Sequence, residues 1–515
     1  MRPFLILVLT IFLINNVCAN PELKKNENKK TQSEKIKIDK SKAKINNKVK
    51  IDQPVVTHHT IKIRGEEVTY KATTGKMILK SSKDKERASV FYIAYTVEPI
   101  NGKKRPLTFS FNGGPGSSSV WMHMAMIGPR RVLMDDSGLS LMPPAELVDN
   151  EFSILDKTDL IFIDPVGTGF SETLGETNKK EFHGVNQDIS SVGEFIRLYI
   201  LNNEKWLSPK FLIGESYGTF RAAGLSDHLF GKYGIRLNGI MLISSILNFQ
   251  TISFHNENDQ VYCHFLPSYA ATAWYHKKCA KRYQQMDLTG FLKVVEEFTT
   301  NEYTKALYAG TRLQEREKNL IAEQLSLFIG IDKNIIKQSD LRIPMYSFNK
   351  ELLRSEGKTV GRFDSRYKGT DSNIAGSHAE YDPSFTEIVA PITTTLNHYL
   401  RHELNYKNDK HYNIMGGVHP WDFNAKNSYT SMTHQLARTI NKNKHMKIFI
   451  ASGLYDLATP YFATEYTFSH MSLKKEQLKN INIKYYEAGH MMYLHKPSLI
   501  KINNDLNFFI QNSIK

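Results

Sequence analysis

Short apolar runs alternate with segments of helical periodicity over most of the chain. Runs of five to seven residues, rich in β-branched and aromatic side chains, indicate buried strands. Helical periodicity covers three segments, 186–201, 219–230 and 497–514. Strands that alternate with helices predict an α/β fold with a mostly parallel central sheet. The six strand runs lie at 107–111, 159–164, 210–214, 239–245, 446–452 and 483–488.

The segment at 59–97 has a different pattern, in which polar and apolar residues alternate between glycine turns. A period of two is typical of strands with one solvated face. We therefore expect antiparallel strands here, at one edge of the parallel sheet.

About 200 residues separate the fourth and fifth strand runs. A single crossover between parallel strands does not need this length. The spacing therefore predicts a large, mainly helical inserted cap at 248–424, with the catalytic domain formed by 56–247 and 425–515. A cap over the strand ends would shape a substrate pocket. The apolar and aromatic stretch at 266–276 either lines that pocket or forms a buried helix.

The N-terminus combines a basic residue, Arg2, with an apolar stretch at 4–13 and small residues near Ala19. This pattern predicts a signal peptide at 1–19, and hence a secreted or periplasmic protein with no stable membrane insertion after cleavage. The alternative is a membrane anchor, although the apolar stretch is short for a bilayer span.

A Lys-rich segment follows, and we interpret 20–55 as a disordered linker. Residues 20–52 contain 11 Lys against 5 Asp and Glu and no aromatic residue, so they can bury little. The whole chain carries +15, and the part beyond this segment carries +8. No helical, zinc-finger or aromatic-basic pattern accompanies the charge, so we expect no nucleic-acid partner.

Three cysteines are present, and Cys18 would leave with the signal peptide. In an oxidising compartment, the remaining Cys263 and Cys279 form either a disulfide or two buried thiols. No Cys/His spacing is typical of a zinc site, so no metal is expected.

The sequence FLIGESYGTF contains the Gly-x-Ser-x-Gly pattern, centred on Ser216. A predicted strand precedes this serine and a predicted helix follows it. The arrangement is typical of a nucleophile elbow, a tight turn that lifts a serine hydroxyl above the edge of a sheet. Ser216 is therefore the candidate nucleophile.

A serine nucleophile needs a base and an acid, which in this fold follow it in the order Asp, His. Asp456 and His490 each come directly after a predicted strand and would reach the same sheet edge. Asp422 and His495 are the competing positions, but neither follows a clear strand.

The sequence FNGGPGSSS comes directly after the first strand run. A glycine-rich turn leaves backbone N–H groups uncovered, so that an oxyanion can approach them. We expect the N–H groups of Gly114 and Tyr217 to form the oxyanion hole.

These motifs, in this order, resemble the serine carboxypeptidase family, with the greatest similarity to its bacterial branch. The similarity covers 60–515 and rests on five segments. It implies an α/β-hydrolase fold and the release of single residues from peptide or protein C-termini, typically in acidic conditions and without a metal or other cofactor. The segments are NGGPGSSS, DPVGTGFS, GESYG, GLYDLATPY and AGHMM.

The resemblance also explains the acidic residue beside the nucleophile. It implies that Glu215 and Asn112 bind the free carboxylate of the substrate, with the Gly113 N–H as a third contact. A buried Glu kept protonated can donate a hydrogen bond to a carboxylate. The competing interpretation is that Glu215 only complements the dipole of the following helix.

Three positions depart from the family pattern. Many relatives have Trp at the position of Ser110, Cys at the position of Ser117 and a second Glu at the position of Met126. Because of these departures, the sequence does not determine one wall of the carboxylate site or whether the pH optimum of activity is acidic.

We therefore expect a secreted serine carboxypeptidase that forms an acyl-enzyme on Ser216. The alternatives are an esterase or acyltransferase with the same triad, an α/β-hydrolase aminopeptidase, and a non-catalytic binding protein. The side-chain preference and the oligomeric state stay open.

Overall fold

The computed structural model describes residues 53–99, 102 and 104–514. The predicted signal peptide at 1–19 and the linker up to residue 52 lie outside the described residues. Within the described part of the chain, no helix has the length and apolar character needed to cross a membrane.

Fourteen strands are formed by the described residues, and six strands of the central sheet match the six apolar runs. Short buried segments such as LTFSF and GIMLISS become strands because their side chains are covered on both faces. The strands are β1 (Val55–Ile63), β2 (Glu66–Lys80), β3 (Glu86–Thr96), β4 (Leu107–Phe111), β5 (Arg130–Val132), β6 (Leu147–Asp149), β7 (Asp159–Ile163), β8 (Glu172–Thr173), β9 (Lys210–Ser216), β10 (Gly239–Ser245), β11 (Thr359–Val360), β12 (Lys368–Gly369), β13 (Lys447–Gly453) and β14 (Ile481–Tyr486).

The central sheet has the strand order β1-β2-β3-β7-β4-β9-β10-β13-β14, and β8 pairs with β3. From β7 to β14 every neighbouring pair is parallel. The first three strands form an antiparallel meander that joins the sheet at β7. This arrangement confirms the predicted mostly parallel sheet with an antiparallel edge, the architecture of an α/β-hydrolase.

Helices cover both faces of the sheet and fill the long connection between β10 and β13. Those at the three predicted helical segments agree with prediction to within three residues at each end. The α-helices are α1 (Val120–Met122), α2 (Val185–Asn202), α3 (Tyr217–Tyr233), α4 (Gln260–Tyr275), α5 (Lys281–Gln284), α6 (Leu288–Phe298), α7 (Thr304–Ala309), α8 (Glu315–Ile329), α9 (Lys333–Gln338), α10 (Met345–Glu351), α11 (Pro383–His402), α12 (Thr433–Lys442), α13 (Tyr461–Ser469), α14 (Lys475–Leu478) and α15 (Lys496–Asn512).

Shorter helical turns complete the described chain. The 3₁₀ turns lie at Lys179–Glu181, Phe249–Ile252, Gly310–Arg312, Arg354–Glu356 and Met492–Leu494, and the π-helical turns at His123–Ile127 and Thr299–Tyr303. Two of these turns, His123–Ile127 and Met492–Leu494, pack against each other close to the candidate site.

The connection between β10 and β13 contains α4 to α12, and the helices α4 to α10 share an apolar core of their own. Side chains of α4, including Phe265, Leu266 and Tyr269, are buried in that core. The apolar stretch at 266–276 is therefore mainly a buried helix, which agrees with the plainer of its two interpretations.

The disulfide considered for Cys263 and Cys279 is wrong, because both residues are free, buried thiols. The Cys263 sulfur lies 3.3 Å from the Thr304 hydroxyl, and the Cys279 sulfur lies 3.2 Å from Gln284 Oε1. Each sulfur thus has a separate polar neighbour inside the helical core. Burial raises the pKa of both thiols to about 11, which keeps them protonated.

Candidate active site

Ser216 lies at the junction between β9 and α3, in a strained backbone conformation. Its φ is 57° and its ψ is −128°, a region that non-glycine residues rarely adopt. The turn is tight because a methyl group on Gly218 would lie 2.6 Å from the Phe111 carbonyl oxygen. The sequence pattern and this geometry together define a nucleophile elbow.

His490 and Asp456 form a buried hydrogen-bonded pair after β14 and β13. The His490 Nδ1 lies 2.7 Å from Asp456 Oδ2. Asp456 Oδ1 accepts hydrogen bonds from the backbone N–H groups of Ala458 at 2.7 Å and Thr459 at 2.9 Å. The Thr459 hydroxyl donates to Asp456 Oδ2 at 2.7 Å. Because these donors fix the carboxylate, Asp456 can hold the imidazole in one tautomer and orientation.

The charges of this pair stabilise each other despite complete burial. Burial favours neutral His490, but the charge and hydrogen bond of Asp456 outweigh it and raise the pKa of the imidazole. Burial also opposes ionisation of Asp456, yet His490 and the Thr459 donors hold the pKa of its carboxyl below the usual value. Asp456 is therefore suited to stabilise an imidazolium when His490 accepts a proton.

The loop that carries His490 is attached next to the elbow. Ser245 pairs with Ser216 across β10 and β9, and the neighbouring Ser244 hydroxyl donates to the His490 carbonyl oxygen at 2.6 Å. Ser216, Asp456 and His490 thus lie at the carboxyl ends of neighbouring parallel strands, at one edge of the sheet.

The loop after β4 faces the start of α3. A methyl group on Gly113 would lie 2.5 Å from the Tyr217 backbone nitrogen and 2.9 Å from Ser216 Cβ. Gly114 has a φ of 104°, which favours glycine. Among the described residues, the N–H groups of Gly113 and Gly114 have no hydrogen-bond acceptor. This loop can therefore present N–H groups to an oxyanion beside Ser216.

We expect Gly113→Ala to lower kcat/KM by about 10²- to 10³-fold, because the added methyl group would displace the loop from the Tyr217 N–H. Steady-state kinetics and the rate of labelling by a serine-directed phosphonate measure the effect. Gly231→Ala is the matched control, since a methyl group there meets nothing within 4 Å. Equal kinetics for the two variants would contradict an oxyanion role for this loop.

Glu215 is buried next to Ser216, the candidate nucleophile, and is bound by two donors. Asn112 Nδ2 donates to Glu215 Oε2 at 2.6 Å, and the Tyr493 hydroxyl donates to the same oxygen at 2.8 Å. Burial raises the pKa of Glu215 to about 7, although His490 and both donors oppose the increase. Near neutral pH this carboxyl group can therefore carry a proton.

Arg221 is buried and contacts the backbone of Asn112, one of the candidate carboxylate-binding residues. Its Nε donates to Asp188 Oδ2 at 2.7 Å, and its Nη1 donates to the Asn112 carbonyl oxygen at 2.7 Å. The guanidinium carbon lies 5.4 Å from the ring centroids of both Phe111 and Tyr217. This buried ion pair therefore fixes the backbone of Asn112 relative to α3.

A segment from the long insertion holds the His490 loop. The Phe363 carbonyl oxygen accepts from the His490 N–H at 2.6 Å, and the Phe363 ring centroid lies 5.0 Å from the imidazole. Asp364 Oδ2 accepts from the Gly489 N–H at 2.9 Å and is paired with Arg366 at 2.6 Å. The connection between β10 and β13 thus contacts His490, the candidate base, directly.

The three departures from the family pattern are all buried. Ser110 leaves its hydroxyl without a hydrogen-bond partner among the described residues. The Ser117 hydroxyl accepts from the Trp121 indole at 2.8 Å. Met126 lies in the π-helical turn that packs against the turn carrying Tyr493.

Both competing positions lie apart from the pair formed by Asp456 and His490. Asp422 is exposed and caps a turn, accepting from the Asn424 N–H at 2.8 Å. His495 contacts the Ser498 hydroxyl at 2.9 Å, at the start of α15.

Sequence reasoning missed four residues of the site: Thr459, Tyr493, Phe363 and Arg221. Two of them carried a signal, since Thr459 and Tyr493 each follow a candidate triad residue by three positions. That spacing places the side chains within one turn. Phe363 and Arg221 are brought to the site by tertiary packing and have no local signal.

The fold, the elbow and the buried His–Asp pair are together the arrangement typical of the α/β-hydrolase class. A family model described as serine carboxypeptidase matches residues 64–502. The chain belongs to the serine carboxypeptidase family.

Curated relatives match shorter regions. The pheromone-processing carboxypeptidase KEX1 of Saccharomyces cerevisiae is 34% identical over 162 residues, which are 29% of this chain and 21% of that protein. Serine carboxypeptidase-like 35 of Arabidopsis thaliana is 26% identical over 177 residues, 32% of this chain and 34% of that protein. The chain thus spans only about a fifth to a third of these relatives.

Among solved structures, the proline iminopeptidase of Mycobacterium smegmatis aligns over 85% of this chain and 98% of its own. The identity is 12% and the TM-score is 0.34.

Proposed function

We propose that the protein is a serine carboxypeptidase that releases C-terminal amino acids from peptides. The observation that carries this proposal is the buried Glu215, bound by the Asn112 amide and placed next to Ser216 in the chain. A protonated carboxyl group and an amide N–H are the donors that a substrate carboxylate needs. A simple esterase has no use for a buried carboxyl at this position.

The triad residues have separate roles in the proposed reaction. Ser216 Oγ attacks the last peptide carbonyl while His490 accepts its proton, and Asp456 stabilises the resulting imidazolium. The N–H groups of Gly114 and Tyr217 stabilise the tetrahedral oxyanion. His490 then protonates the leaving amino acid, and water hydrolyses the acyl-enzyme by the reverse sequence of proton transfers.

The carboxylate site determines where cleavage occurs. Glu215, Asn112 and the free N–H of Gly113 would bind the terminal carboxylate, which places the last peptide bond at Ser216. An internal peptide bond offers no terminal carboxylate for this site. The predicted product is therefore a free amino acid.

The proposal is tested by the pH dependence of kcat/KM, because the protonation of Glu215 controls substrate binding. Below a pH of about 7, Glu215 is protonated and donates to the substrate; above it, the carboxylate repels the substrate. We expect kcat/KM for a peptide acid to fall about tenfold per pH unit on this alkaline side, with the change mainly in KM. For the matching peptide with a C-terminal amide, kcat/KM should not show this decrease at alkaline pH, which we call the alkaline limb.

The measurement follows both substrates by mass spectrometry between about pH 4 and about pH 9, a range that brackets the titration. Glu215→Gln removes the titration and keeps a neutral donor, so its profile for the acid should lose the alkaline limb. Equal cleavage of acid and amide at every pH would refute the carboxylate site and favour an esterase or acyltransferase role.

The proposal extends to location and organisation. The N-terminal pattern at 1–19 supports export to a secreted or periplasmic location, where peptides are accessible. Residues 248–424 supply the segment that contacts His490, which supports a cap that shapes the substrate pocket. Peptide or protein C-termini are the proposed partners.

A further inference from the structure

Tyr493 lies on the 3₁₀ turn at Met492–Leu494, and its hydroxyl contacts Glu215. The π-helical turn at His123–Ile127 carries Met126, and it packs against the 3₁₀ turn at Met492–Leu494. Both side chains are buried in the same apolar core. The Tyr493 hydroxyl approaches Glu215 Oε2 to 2.8 Å, whereas the Met126 thioether has no hydrogen to donate.

We propose that Tyr493 is a positioning residue that, with Asn112, directs the proton of Glu215 onto Oε1 for donation to the substrate carboxylate. The inference rests on the proposed carboxypeptidase function and deepens it.

The hydrogen-bond pattern supports this role. Asn112 Nδ2 can only donate, and it lies 2.6 Å from Oε2, the same oxygen that Tyr493 approaches. An oxygen that accepts two hydrogen bonds acts as the carbonyl oxygen of a neutral carboxyl group. The proton then resides on Oε1, which forms no hydrogen bond within the described chain. In this state Oε1–H is the donor that a ligand carboxylate can use.

Other ionisable groups that act on Glu215 come from the two neighbouring loops. His490 lies on the loop after β14 and favours the ionised form of Glu215, whereas Asp456 on the loop after β13 disfavours it. Tyr493 is itself fully buried, and burial beside Glu215 keeps its phenol protonated. The phenol therefore remains a donor across the pH range in which Glu215 titrates.

Tyr493→Phe keeps the ring and removes only the donor. We expect KM for a peptide acid to increase about three- to tenfold below about pH 6, with kcat within about twofold of the original, because the proton is no longer confined to Oε1. Loss of a donor to the carboxylate also favours protonation. The alkaline limb should therefore move upward by about 0.5 to 1 pH unit.

Tyr486→Phe is the matched control, since the Tyr486 hydroxyl also donates to a carboxylate, Asp505 Oδ2, at 2.7 Å. This variant loses an equivalent hydrogen bond away from the carboxylate site. The alkaline limb of its pH profile for kcat/KM should therefore stay at the same pH. A uniform loss of kcat in Tyr493→Phe, with the alkaline limb unchanged, would overturn the inference.

A second measurement does not depend on turnover. Infrared difference spectra recorded against pH follow the carboxyl C=O band of Glu215, assigned by its absence in Glu215→Gln. We expect the titration midpoint to rise in Tyr493→Phe and to stay unchanged in Tyr486→Phe. An unchanged midpoint in both variants would reject the role of Tyr493 even if the peptide specificity is as proposed. Failure of the original enzyme to prefer acids over amides would instead reject the proposed function.

Discussion

Ser216→Ala is expected to lower kcat/KM for peptide cleavage by about 10⁵- to 10⁶-fold and to abolish covalent labelling by a serine-directed phosphonate. The alanine can occupy the same turn, so the variant should keep its fold, and the oxyanion hole should leave only a small residual rate. Release of free amino acids and intact-protein mass spectrometry measure the two effects.

The control for Ser216→Ala lies on the adjacent helix. The Ser226 hydroxyl donates to the Ala223 carbonyl oxygen at 2.7 Å within α3, and the residue is buried. Ser226→Ala should retain kcat/KM within about twofold, since it removes a local hydrogen bond of modest net value. A Ser216→Ala enzyme that retained even one hundredth of the activity would place the nucleophile elsewhere.

The second large effect concerns Arg221. Arg221→Ala is expected to lower the free energy of unfolding by about 3 to 5 kcal/mol, because it leaves Asp188 as an uncompensated buried charge. The Asn112 carbonyl oxygen also loses its hydrogen-bond donor. KM for peptide acids should therefore rise in the fraction of the Arg221→Ala protein that folds. Chemical denaturation and steady-state kinetics measure the two changes.

Asp227, on the same helix as Arg221, provides the comparison. Arg438 pairs with Asp227, and the Arg438 side chain is 43% exposed. Arg438→Ala should therefore cost less than about 1 kcal/mol. A double variant, Arg221→Met with Asp188→Leu, removes both buried charges and should recover much of the stability. Equal losses for Arg221→Ala and Arg438→Ala would contradict the role given to the buried pair.

The sequence predicts the sheet well because each central strand is buried on both faces. Runs such as 159–164 and 239–245 are mainly apolar and too short for a typical helix. Their local composition therefore predicts a buried strand. The elbow and the order of triad residues follow from the same logic, since each candidate comes directly after a strand. Parallel strands then bring these ends to one edge.

The supporting residues of the site could not be predicted in this way. Arg221 and Asp188 lie on two helices, and their pairing depends on how α2 and α3 pack. Phe363 reaches His490 from a loop more than 100 residues away in the chain. Each contact depends on long-range packing, for which a single sequence carries no periodic signal. For Cys263 and Cys279 the sequence left a disulfide and two buried thiols as alternatives, and the structure has the thiols, with most of α4 lying between the two residues.

The contact between the insertion and the triad loops limits how this enzyme could be re-engineered. Leu457 donates to the Arg362 carbonyl at 3.0 Å, next to Asp456, and Ser365 donates to the Tyr455 carbonyl at 3.1 Å. Phe363 and Asp364 add hydrogen bonds to the loop that carries His490. The loop at 362–366 therefore positions both the candidate acid, Asp456, and the candidate base, His490. If residues 248–424 act as the proposed cap, a chimera that exchanges them must transplant 362–366 with compatible loops around Asp456 and His490, because the same backbone segment contacts both loops.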